Sequence, residues 1–400
     1  MNILRPQKPY VFHPPRYSRW LAPVAYRVAD FAILRRQFKM RDVRGTGLDR
    51  VAGLERDGHS VLVAPNHADH ADPSILVHLG RRHRLRFHFM AAREVFERGA
   101  LQAFVLQRCG VFSVDREGAD LAAIKTAMGI LQGCRYPLVI FPEGEIWHHH
   151  ERLDALNEGV ATILLRAVAK LAAEQRAYLV PASIHITHDA SVERSFSRRL
   201  GRLEERVLWK PQPKMAVLER IYRLGRGLLA LKEEEFLGRA QQGSLVERIA
   251  ALRESLVAQV EQRHDVARAK STVPERIKAL RGRIRKELLE SAAPESTARH
   301  AELYDDLDTL YLASQLYSYP GQYLSERPTR DRVAETILKL EEDVLGEGEY
   351  VGPRDAQVVF HEPLDVREFL VSRTLNAKSG VRPLTQWLGE RIQRGLNEVR

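Results

Sequence analysis

The sequence predicts an α/β fold, a mixed and mostly parallel sheet flanked by helices, with a large helical insertion. From residue 59 to about 186, short apolar runs rich in β-branched residues alternate with stretches of helical periodicity. This alternation is typical of strands and helices that share one sheet. From about 215 to 345, charge is dense, strand-like runs are missing and Leu, Ile and Val recur at spacings of three and four. That second pattern predicts helices alone.

The α/β part is expected to return after the helical stretch. The first group of strands is predicted at 61–64, 87–91, 111–114, 137–141 and 178–186, with helices at 73–80, 119–132 and 157–174. Strand character reappears at Gln357–Phe360, and an amphipathic stretch around Leu384–Ile392 closes the chain. We therefore expect an α/β domain of residues 51–214, a helical insertion at 215–345, and a return to the α/β domain at 346–400.

Composition excludes several classes of protein. The 400 residues are 44% apolar and 28% charged, which is enough apolar material for an ordinary core. No apolar run reaches the length of a membrane-spanning helix, and the first residues lack the apolar core of a secretory signal. Two cysteines, Cys109 and Cys134, are too few for a disulfide framework and fit a reducing compartment. We expect a cytoplasmic protein.

Positive charge is concentrated in residues 1–50. This segment holds eleven Arg and Lys against three Asp, a net charge of +8 within a chain total of +10. Apolar residues recur in it at intervals of mostly three and four: Trp20, Leu21, Val24, Val28, Phe31 and Leu34. The pattern indicates a basic amphipathic helix suited to an anionic membrane surface. The alternative is a helix packed on its own domain with a solvated basic face, and nucleic acid is disfavoured because no reading motif accompanies the charge.

The most informative segment follows the first predicted strand. There the loop Asn66-His67-Ala68-Asp69-His70-Ala71-Asp72 leads into a helix expected to begin at Pro73. Histidine is the natural general base near neutral pH, and a carboxylate on its second nitrogen fixes the tautomer and stabilises the imidazolium. The spacing lets Asp72 fold back on the His67 ring. Alternatively, Asp72 merely caps the helix.

Three further blocks place polar or turn-forming residues beside predicted strands. Gly110-Val111-Phe112-Ser113-Val114-Asp115-Arg116 puts an arginine, the preferred bidentate partner of phosphate, just after a strand. Phe141-Pro142-Glu143-Gly144 puts a carboxylate and a glycine after the next strand, and Val180-Pro181-Ala182 is expected to break another. Residues that follow parallel strands meet at one edge of the sheet, which is where α/β proteins place their chemistry.

The order and spacing of these four blocks resemble the glycerolipid acyltransferase family, which includes the 1-acyl-glycerol-3-phosphate acyltransferases. The resemblance covers roughly residues 20–200. Residues 358–365, Val-Val-Phe-His-Glu-Pro-Leu-Asp, are similar to the family's last strand, with His361 where glycine is usual. The resemblance thus places the helical stretch as an insertion between the penultimate and final strands.

The resemblance implies transfer of a fatty acyl group from acyl-CoA or acyl carrier protein to the hydroxyl of a lysophospholipid such as 1-acyl-glycerol-3-phosphate. His67 would be the general base and Asp72 its orienting carboxylate. Substrate-binding positions carried over are Asn66, Gly110, Arg116, Glu143, Gly144 and Pro181, with Arg116 on the phosphate and Pro181 in the acyl-binding wall. No cofactor beyond the thioester co-substrate is expected. The expected partner is an anionic membrane surface, contacted by the N-terminal helix on the inner face of the membrane in phospholipid biosynthesis.

One departure from the family pattern bears on the acceptor. Many members continue Phe-Pro-Glu-Gly with Thr-Arg, whereas Glu145-Ile146-Trp147 follows here. A carboxylate beside a bound phosphate is unfavourable. Either Glu145 points away, or the acceptor is a lysolipid whose headgroup is not a simple phosphate monoester.

Two other classes compete with this interpretation. His148-His149-His150-Glu151, with His67 and His70, invites a zinc or iron site, but three consecutive histidines cannot all face one ion. We expect no functional metal and a solvated or membrane-facing histidine run. The other class is a non-catalytic membrane-surface adaptor with an acyltransferase-like fold, which His67→Asn would separate from an enzyme because only an enzyme loses turnover.

Overall fold

The computed structural model describes residues 10–118, 120–268, 271–290 and 298–398, so the first nine residues of the predicted N-terminal segment lie outside it. The chain divides into two compact units. An α/β unit contains Phe12–Arg116, Asp120–Ser191 and the chain from Tyr350 onward, and a helical unit contains Val192–Glu349. The helical unit thus begins earlier than the predicted residue 215.

Within the described residues, eight strands form one sheet. They are β1 Met40–Thr46, β2 Ser60–Pro65, β3 His88–Ala92, β4 Val111–Val114, β5 Leu138–Val139, β6 Ala177–His188, β7 Arg354–Phe360 and β8 Leu364–Asp365. The order is β1-β7-β6-β2-β5-β3-β4, and β8 also pairs with β6. β6, β2, β5, β3 and β4 are parallel neighbours, whereas β7 and β8 pair antiparallel with β6. The predicted mixed, mostly parallel sheet is confirmed.

The helices, numbered along the chain, are α1 Leu21–Val28, α2 Leu48–Arg56, α3 Asp72–Arg82, α4 Arg93–Glu97, α5 Ala100–Arg108, α6 Leu121–Gly133, α7 Gly159–Val168, α8 Glu193–Leu208, α9 Val217–Leu237, α10 Leu245–Arg263, α11 Val273–Glu290, α12 Ala298–Tyr317, α13 Tyr323–Glu326, α14 Arg330–Leu345, α15 Val366–Ser372 and α16 Val381–Glu398. Among the described residues, none of these combines the length and the apolar character needed to cross a membrane.

The centre of the sheet is buried on both faces. Every residue of β2 is buried, which is why this strand reads as a continuous apolar run rather than an alternating one. β1 was not expected, because only Met40 and Val43 of it carry apolar side chains into the core. It is an edge strand parallel to β7, and its charged side chains are typical of protected sheet edges.

The expected break at Pro181 is wrong, since β6 runs without interruption from Ala177 to His188. Proline lacks the N–H that a central strand needs. Pro181 lies where β6 changes its antiparallel partner, with β8 beside Tyr178 and Leu179 and β7 beside Ala182 onward. The N–H that Pro181 lacks therefore lies between the residues that pair with β8 and those that pair with β7.

The N-terminal helix packs on its own domain but exposes an apolar face. α1 continues into a π-helical segment at Ala29–Gln37, with Ala22 and Leu34 in the core. The side chains that face outward are Trp20, Val24, Val28 and Phe31, which are 76%, 62%, 60% and 61% exposed. The helix thus packs on its own domain, as the alternative predicted, and its outward side carries these apolar residues together with the exposed Arg27 and Arg36.

The interior of the helical unit contains rows of leucine and other apolar side chains as well as ion pairs. α10, α11 and α12 share a core that includes Leu252, Leu256, Ile284, Leu307 and Leu310. α8 belongs to this unit because it packs against α9 and α14, partly through the buried pair Arg199–Glu341 at 2.7 Å. Buried ion pairs of this kind place part of the segment's dense charge inside the helical unit.

Candidate active site

The carboxyl ends of β2, β5 and β4 bring most of the predicted site residues to one edge of the sheet. His67 follows β2, Glu143 and Gly144 follow β5, and Arg116 follows β4. Hydrogen bonds link the loops: His67 N–H donates to Glu143 Oε1 at 2.6 Å, and Arg116 donates to the Gly144 carbonyl. The motifs that are scattered in sequence therefore form one connected cluster.

His67 and Asp72 form a hydrogen-bonded pair. Nδ1 of His67 lies 3.0 Å from Oδ2 of Asp72, which is fully buried, while the histidine side chain is 15% exposed. The same Oδ2 accepts from the backbone N–H groups of Ala68 and Asp69, each at 2.9 Å. Helix α3 begins at Asp72, and its N-cap Ala71 makes no side-chain cap. The capping alternative is therefore wrong, because the Asp72 carboxylate turns back onto the loop.

The His67 ring is fixed on a second side by Phe141. The two rings stack with centroids 4.0 Å apart and an interplanar angle of 25°. With Nδ1 turned to Asp72, Nε2 is the nitrogen left for proton transfer. A partly exposed imidazole whose Nδ1 is held by a buried carboxylate is the arrangement that general base catalysis requires.

Glu143 is a buried carboxyl group that joins two loops. Its Oε1 accepts from His67 N–H, and its Oε2 accepts from Asp154 N–H at 3.1 Å. Burial, with the charges of Asp154 and Asp72, raises the pKa of Glu143 to about 8, although both N–H groups act against the shift. Glu143 therefore carries a proton over much of the neutral range and positions the His67 backbone.

Asn66 anchors the loop that follows β2 to β6. Its Nδ2 donates to the Ile184 carbonyl at 3.0 Å, and its Oδ1 accepts from Ile184 N–H at 2.7 Å. The side chain is buried, so both polar atoms of the amide are engaged within the fold. The structure thus gives Asn66 a positioning contact beside the substrate-binding role that the resemblance implies.

Arg116 is surrounded by carboxylates. Its guanidinium lies 3.0 Å from Glu145 Oε2 and 3.6 Å from Glu94 Oε2. Glu145 therefore does not point away, which was one of the two expected outcomes. Gly144, whose carbonyl Arg116 also contacts, has φ of +74°, and a Cβ there would lie 2.7 Å from Asn157 Nδ2. The turn after β5 needs glycine at this position.

One predicted residue, Gly110, lies away from this cluster. Gly110 precedes β4, so it stands at the amino ends of the parallel strands, about 13 Å of extended chain from the end that carries Arg116. Its φ of +84° explains the glycine, since that backbone conformation is strained for other residues. Pro181 lies nearer to the cluster, since it is buried in β6 beside Ala64, close to the carboxyl end of β2 that His67 follows.

A buried ion pair that sequence reasoning missed secures the loop. Arg354, the first residue of β7, donates to Asp69 Oδ2, and Asp69 Oδ1 accepts from Ala71 N–H at 2.7 Å. Burial opposes ionisation, but Arg354, the nearby His150 and His148, and the Ala71 N–H together lower the pKa of Asp69. The second carboxylate of the His67 loop, Asp69, was the one sequence feature that could have indicated this ion pair. Its partner Arg354 lies in none of the motifs.

A second histidine–aspartate pair lies beside the first. His149 Nδ1 is 3.0 Å from Asp154 Oδ2, both side chains are buried, and four residues separate them as four separate His67 from Asp72. Asp154 N–H donates to Glu143, so both pairs contact one carboxyl group. The expectation of a solvated histidine run is wrong, because His148, His149 and His150 are all buried. The repeated spacing was the signal that could have revealed the pair.

His361, which replaces the family's usual glycine, is accommodated by a glycine elsewhere. Its Nε2 lies 2.7 Å from the buried Ser183 Oγ, which also donates to the Ile392 carbonyl at 2.9 Å. A Cβ on Gly395 of α16 would lie 2.2 Å from the His361 ring. The His361 imidazole thus occupies the space that a side chain at Gly395 would need. The His361–Ser183 pair is a packing feature of the core.

Residues 43–185 match the family model described as Acyltransferase. The chain contains an acyltransferase domain. The match runs from β1 into β6 and includes His67, Asp72, Arg116 and Glu143, which confirms the family and the fold that the resemblance implied. The protein is therefore an acyltransferase, and an acyl donor and a lipid acceptor are its substrates. A search of curated proteins found no match to the chain.

Proposed function

We propose that this acyltransferase moves a fatty acyl group from the thioester of acyl-CoA or acyl carrier protein to the hydroxyl of a lysophospholipid, with His67 as general base. The observation that supports this most is the His67–Asp72 pair, in which a buried carboxylate holds a partly exposed imidazole. Neither cysteine is needed as a nucleophile: burial raises the pKa of Cys109 to about 11 and also raises that of Cys134, which disfavours the thiolates.

The proposed reaction needs no covalent acyl-enzyme. His67 Nε2 takes the proton of the acceptor hydroxyl while the oxygen attacks the thioester carbonyl. The tetrahedral intermediate then collapses, the carbon–sulfur bond breaks, and the imidazolium returns its proton to the leaving thiolate. Asp72 stabilises the imidazolium during this cycle. General base catalysis of this kind contributes about 10²–10⁴-fold to a rate.

The surroundings of Arg116 favour a second candidate for the acceptor. Glu145 and Glu94 both lie within ion-pair distance of this guanidinium, so carboxylates outnumber it. A phosphate monoester would have to displace Glu145 and remain near Glu94, at a cost in like-charge repulsion. A lysolipid whose headgroup is not a phosphate monoester avoids that cost. We therefore propose such a lysolipid as the alternative acceptor to 1-acyl-glycerol-3-phosphate.

The test is a turnover assay with a long-chain acyl-CoA, and then an acyl carrier protein, against a panel of lysolipids. Thiol release that depends on the lysolipid and yields the diacyl product is expected, with its loss in His67→Asn. Absence of transfer from both donors would refute the reaction. If membrane binding persisted in its absence, the adaptor interpretation would replace it.

The acceptor is decided by Glu145→Gln, with Glu158→Gln, an exposed carboxylate at the start of α7, as the matched control. If Glu145 weakens phosphate binding, Glu145→Gln should raise kcat/KM for lysophosphatidic acid at least several-fold relative to monoacylglycerol. Glu158→Gln should leave that ratio unchanged. Strong wild-type preference for lysophosphatidic acid, unaltered in Glu145→Gln, would eliminate the alternative acceptor.

We also propose that the protein works on the inner, cytoplasmic face of a membrane. The outward apolar face of α1 and the π-helical segment carries Trp20 and Phe31, and Arg19 and Arg36 lie over these two rings at 4.9 and 5.0 Å. Aromatic side chains flanked by arginine suit the headgroup region of an anionic bilayer. This position would bring the enzyme to an acceptor that resides in the membrane.

A further inference from the structure

A second pocket lies at the edge of the sheet opposite His67. It has a volume of about 640 Å³ and lies beside the amino ends of β3, β4 and β5. Three arginines and two tyrosines dominate its wall: Arg19, Arg86, Arg135, Tyr17 and Tyr136. The reaction proposed above uses none of them.

The arginines are arranged by aromatic contacts. Arg86 Nη1 donates to the Tyr136 hydroxyl at 3.2 Å, and its guanidinium carbon lies 5.6 and 5.8 Å from the Tyr17 and Tyr136 ring centroids. The guanidinium of Arg135 lies 5.1 Å from the Tyr136 centroid. Such contacts hold cationic groups in place without neutralising them.

The pocket contrasts with the site around Arg116. All ten residues of its lining belong to the described part of the chain, and none is Asp or Glu. Glu55 attracts Arg86 from outside the lining. Three arginines that line one open cavity, with no lining carboxylate, make it a candidate site for an anion with several oxygen acceptors. Phosphate is the anion that best matches the fork geometry of arginine.

The position of Arg19 indicates where the phosphate comes from. Arg19 lines the pocket, and its neighbour Trp20 begins the exposed apolar face that continues through Val24, Val28 and Phe31. A bilayer that contacts this face would bring its headgroup layer to the mouth of the pocket. Free phosphate metabolites share the chemistry, but they would not require the adjoining apolar face.

We propose that this pocket binds the phosphate-bearing headgroup of an anionic phospholipid, at a site separate from the acceptor site. It rests on the membrane contact of the proposed function and not on the acyl-transfer chemistry. The bound lipid would fix the orientation of the enzyme on the membrane. Binding measurements therefore test the pocket even if the turnover assay fails.

A glycine provides a test that leaves every charge in place. Gly129 of α6 lines the pocket, its φ is not positive, and a Cβ there would have no heavy atom within 4 Å. Gly129→Leu should therefore add an apolar side chain at the wall of the pocket without a clash at Cβ, and leucine also favours a helix over glycine. The matched control is Gly53→Leu on α2, where a Cβ also meets open space outside the pocket.

The measurement is cosedimentation of the full chain with phosphatidylcholine vesicles, with and without phosphatidylglycerol. Wild type and Gly53→Leu should bind more tightly when phosphatidylglycerol is present. Gly129→Leu should lose that gain, weakening binding to the anionic vesicles by about 10-fold on the scale of arginine contacts with anionic surfaces. Binding to pure phosphatidylcholine should stay equal in all three. Equal gains in Gly129→Leu and Gly53→Leu would overturn the proposal.

A charge variant and a soluble probe complete the test. Arg86→Gln with Arg135→Gln should reproduce the loss, whereas Lys378→Gln with Arg382→Gln, which removes two exposed charges elsewhere, should not. Equal losses in the two double variants would show general electrostatics and overturn the pocket. Glycerol phosphate that binds in a Gly129→Leu-sensitive manner, with vesicle binding unaffected, would overturn the lipid assignment in favour of a soluble phosphate compound.

Discussion

Two histidines of this chain make the same contact with an aspartate, yet they differ in exposure. His67 and His149 each lie 3.0 Å from an aspartate five residues ahead, and both pairs are linked to Glu143. The His67 side chain is 15% exposed at the end of β2, against 6% for His149. A base must reach its substrate, so exposure at the sheet edge distinguishes His67.

Glu143 gives the fold a pH dependence. Its pKa is about 8 in the folded protein and near 4.5 in the unfolded chain, so between these values the folded state binds one more proton. This group's contribution to stability is therefore complete at low pH and falls as pH rises from about 5 to 8. Because Glu143→Gln cannot titrate, the melting temperature of wild type minus that of the variant should fall over this range and then level off. Thermal melts at several pH values check this, and a constant or rising difference would contradict it.

Local patterns and the family resemblance together located the residues that meet at this edge of the sheet. Arg116, Glu143 and Gly144 were marked by strand ends and Asp72 by its spacing from His67, and the resemblance joined them into one site. Gly110 was drawn to the same site because its motif contains Arg116, but the two residues flank opposite ends of β4. A motif that spans a whole strand joins residues from two edges of the sheet.

The loop between β2 and α3 is held by three other strands or their loops. Asn66 binds β6, Asp69 binds the start of β7, and the His67 backbone binds Glu143 after β5. The β7 contact joins residues that are 285 positions apart in sequence, so the whole helical unit lies between them along the chain. No sequence pattern specifies such a pair, because charge and burial at each end depend on the tertiary fold.

Removal of Arg354 should show how much this contact stabilises the fold. Arg354→Met leaves the Asp69 carboxylate buried without its cation, so we expect a loss of about 3–5 kcal/mol in unfolding free energy. Arg41→Met is the matched control, since Arg41 pairs with Asp355 on the same sheet edge at half exposure, and its loss should shift the transition far less. The urea unfolding transition of the full chain reports both. Equal shifts for the two variants would show that the buried pair contributes no more to the unfolding free energy than the exposed pair does.

At the scale of the whole molecule, the sequence could not show which apolar residues of the N-terminal helix face outward. Periodicity marked Trp20, Leu21, Val24, Val28, Phe31 and Leu34 as one apolar set, but the structure divides them. Leu34 enters the core, whereas Trp20, Val24, Val28 and Phe31 face outward. A helix with two apolar stripes reads as one amphipathic helix until its packing partners, here α3 and α5, are known.

The outward stripe should carry much of the membrane affinity. Trp20→Ser with Phe31→Ser removes two exposed aromatic side chains without touching the core. We expect the partition coefficient on phosphatidylcholine vesicles to fall at least 10-fold, because apolar contact contributes about 25 cal/mol per Å². Trp209→Ser removes another exposed tryptophan, on the helical unit, and should have little effect. Vesicle cosedimentation measures both, and unchanged binding of the double variant would refute the membrane face.

The decisive measurement compares His67→Asn with His149→Asn in lysolipid-dependent thiol release from the acyl donor. The two variants remove the same group from two His–Asp pairs with the same Nδ1–Oδ2 distance, so each controls for the other. We predict that His67→Asn lowers kcat by about 10²–10⁴-fold, as loss of a general base should. His149→Asn should stay within a few-fold of wild type. Full turnover in His67→Asn, or a comparable loss in His149→Asn alone, would show that His67 is not the base.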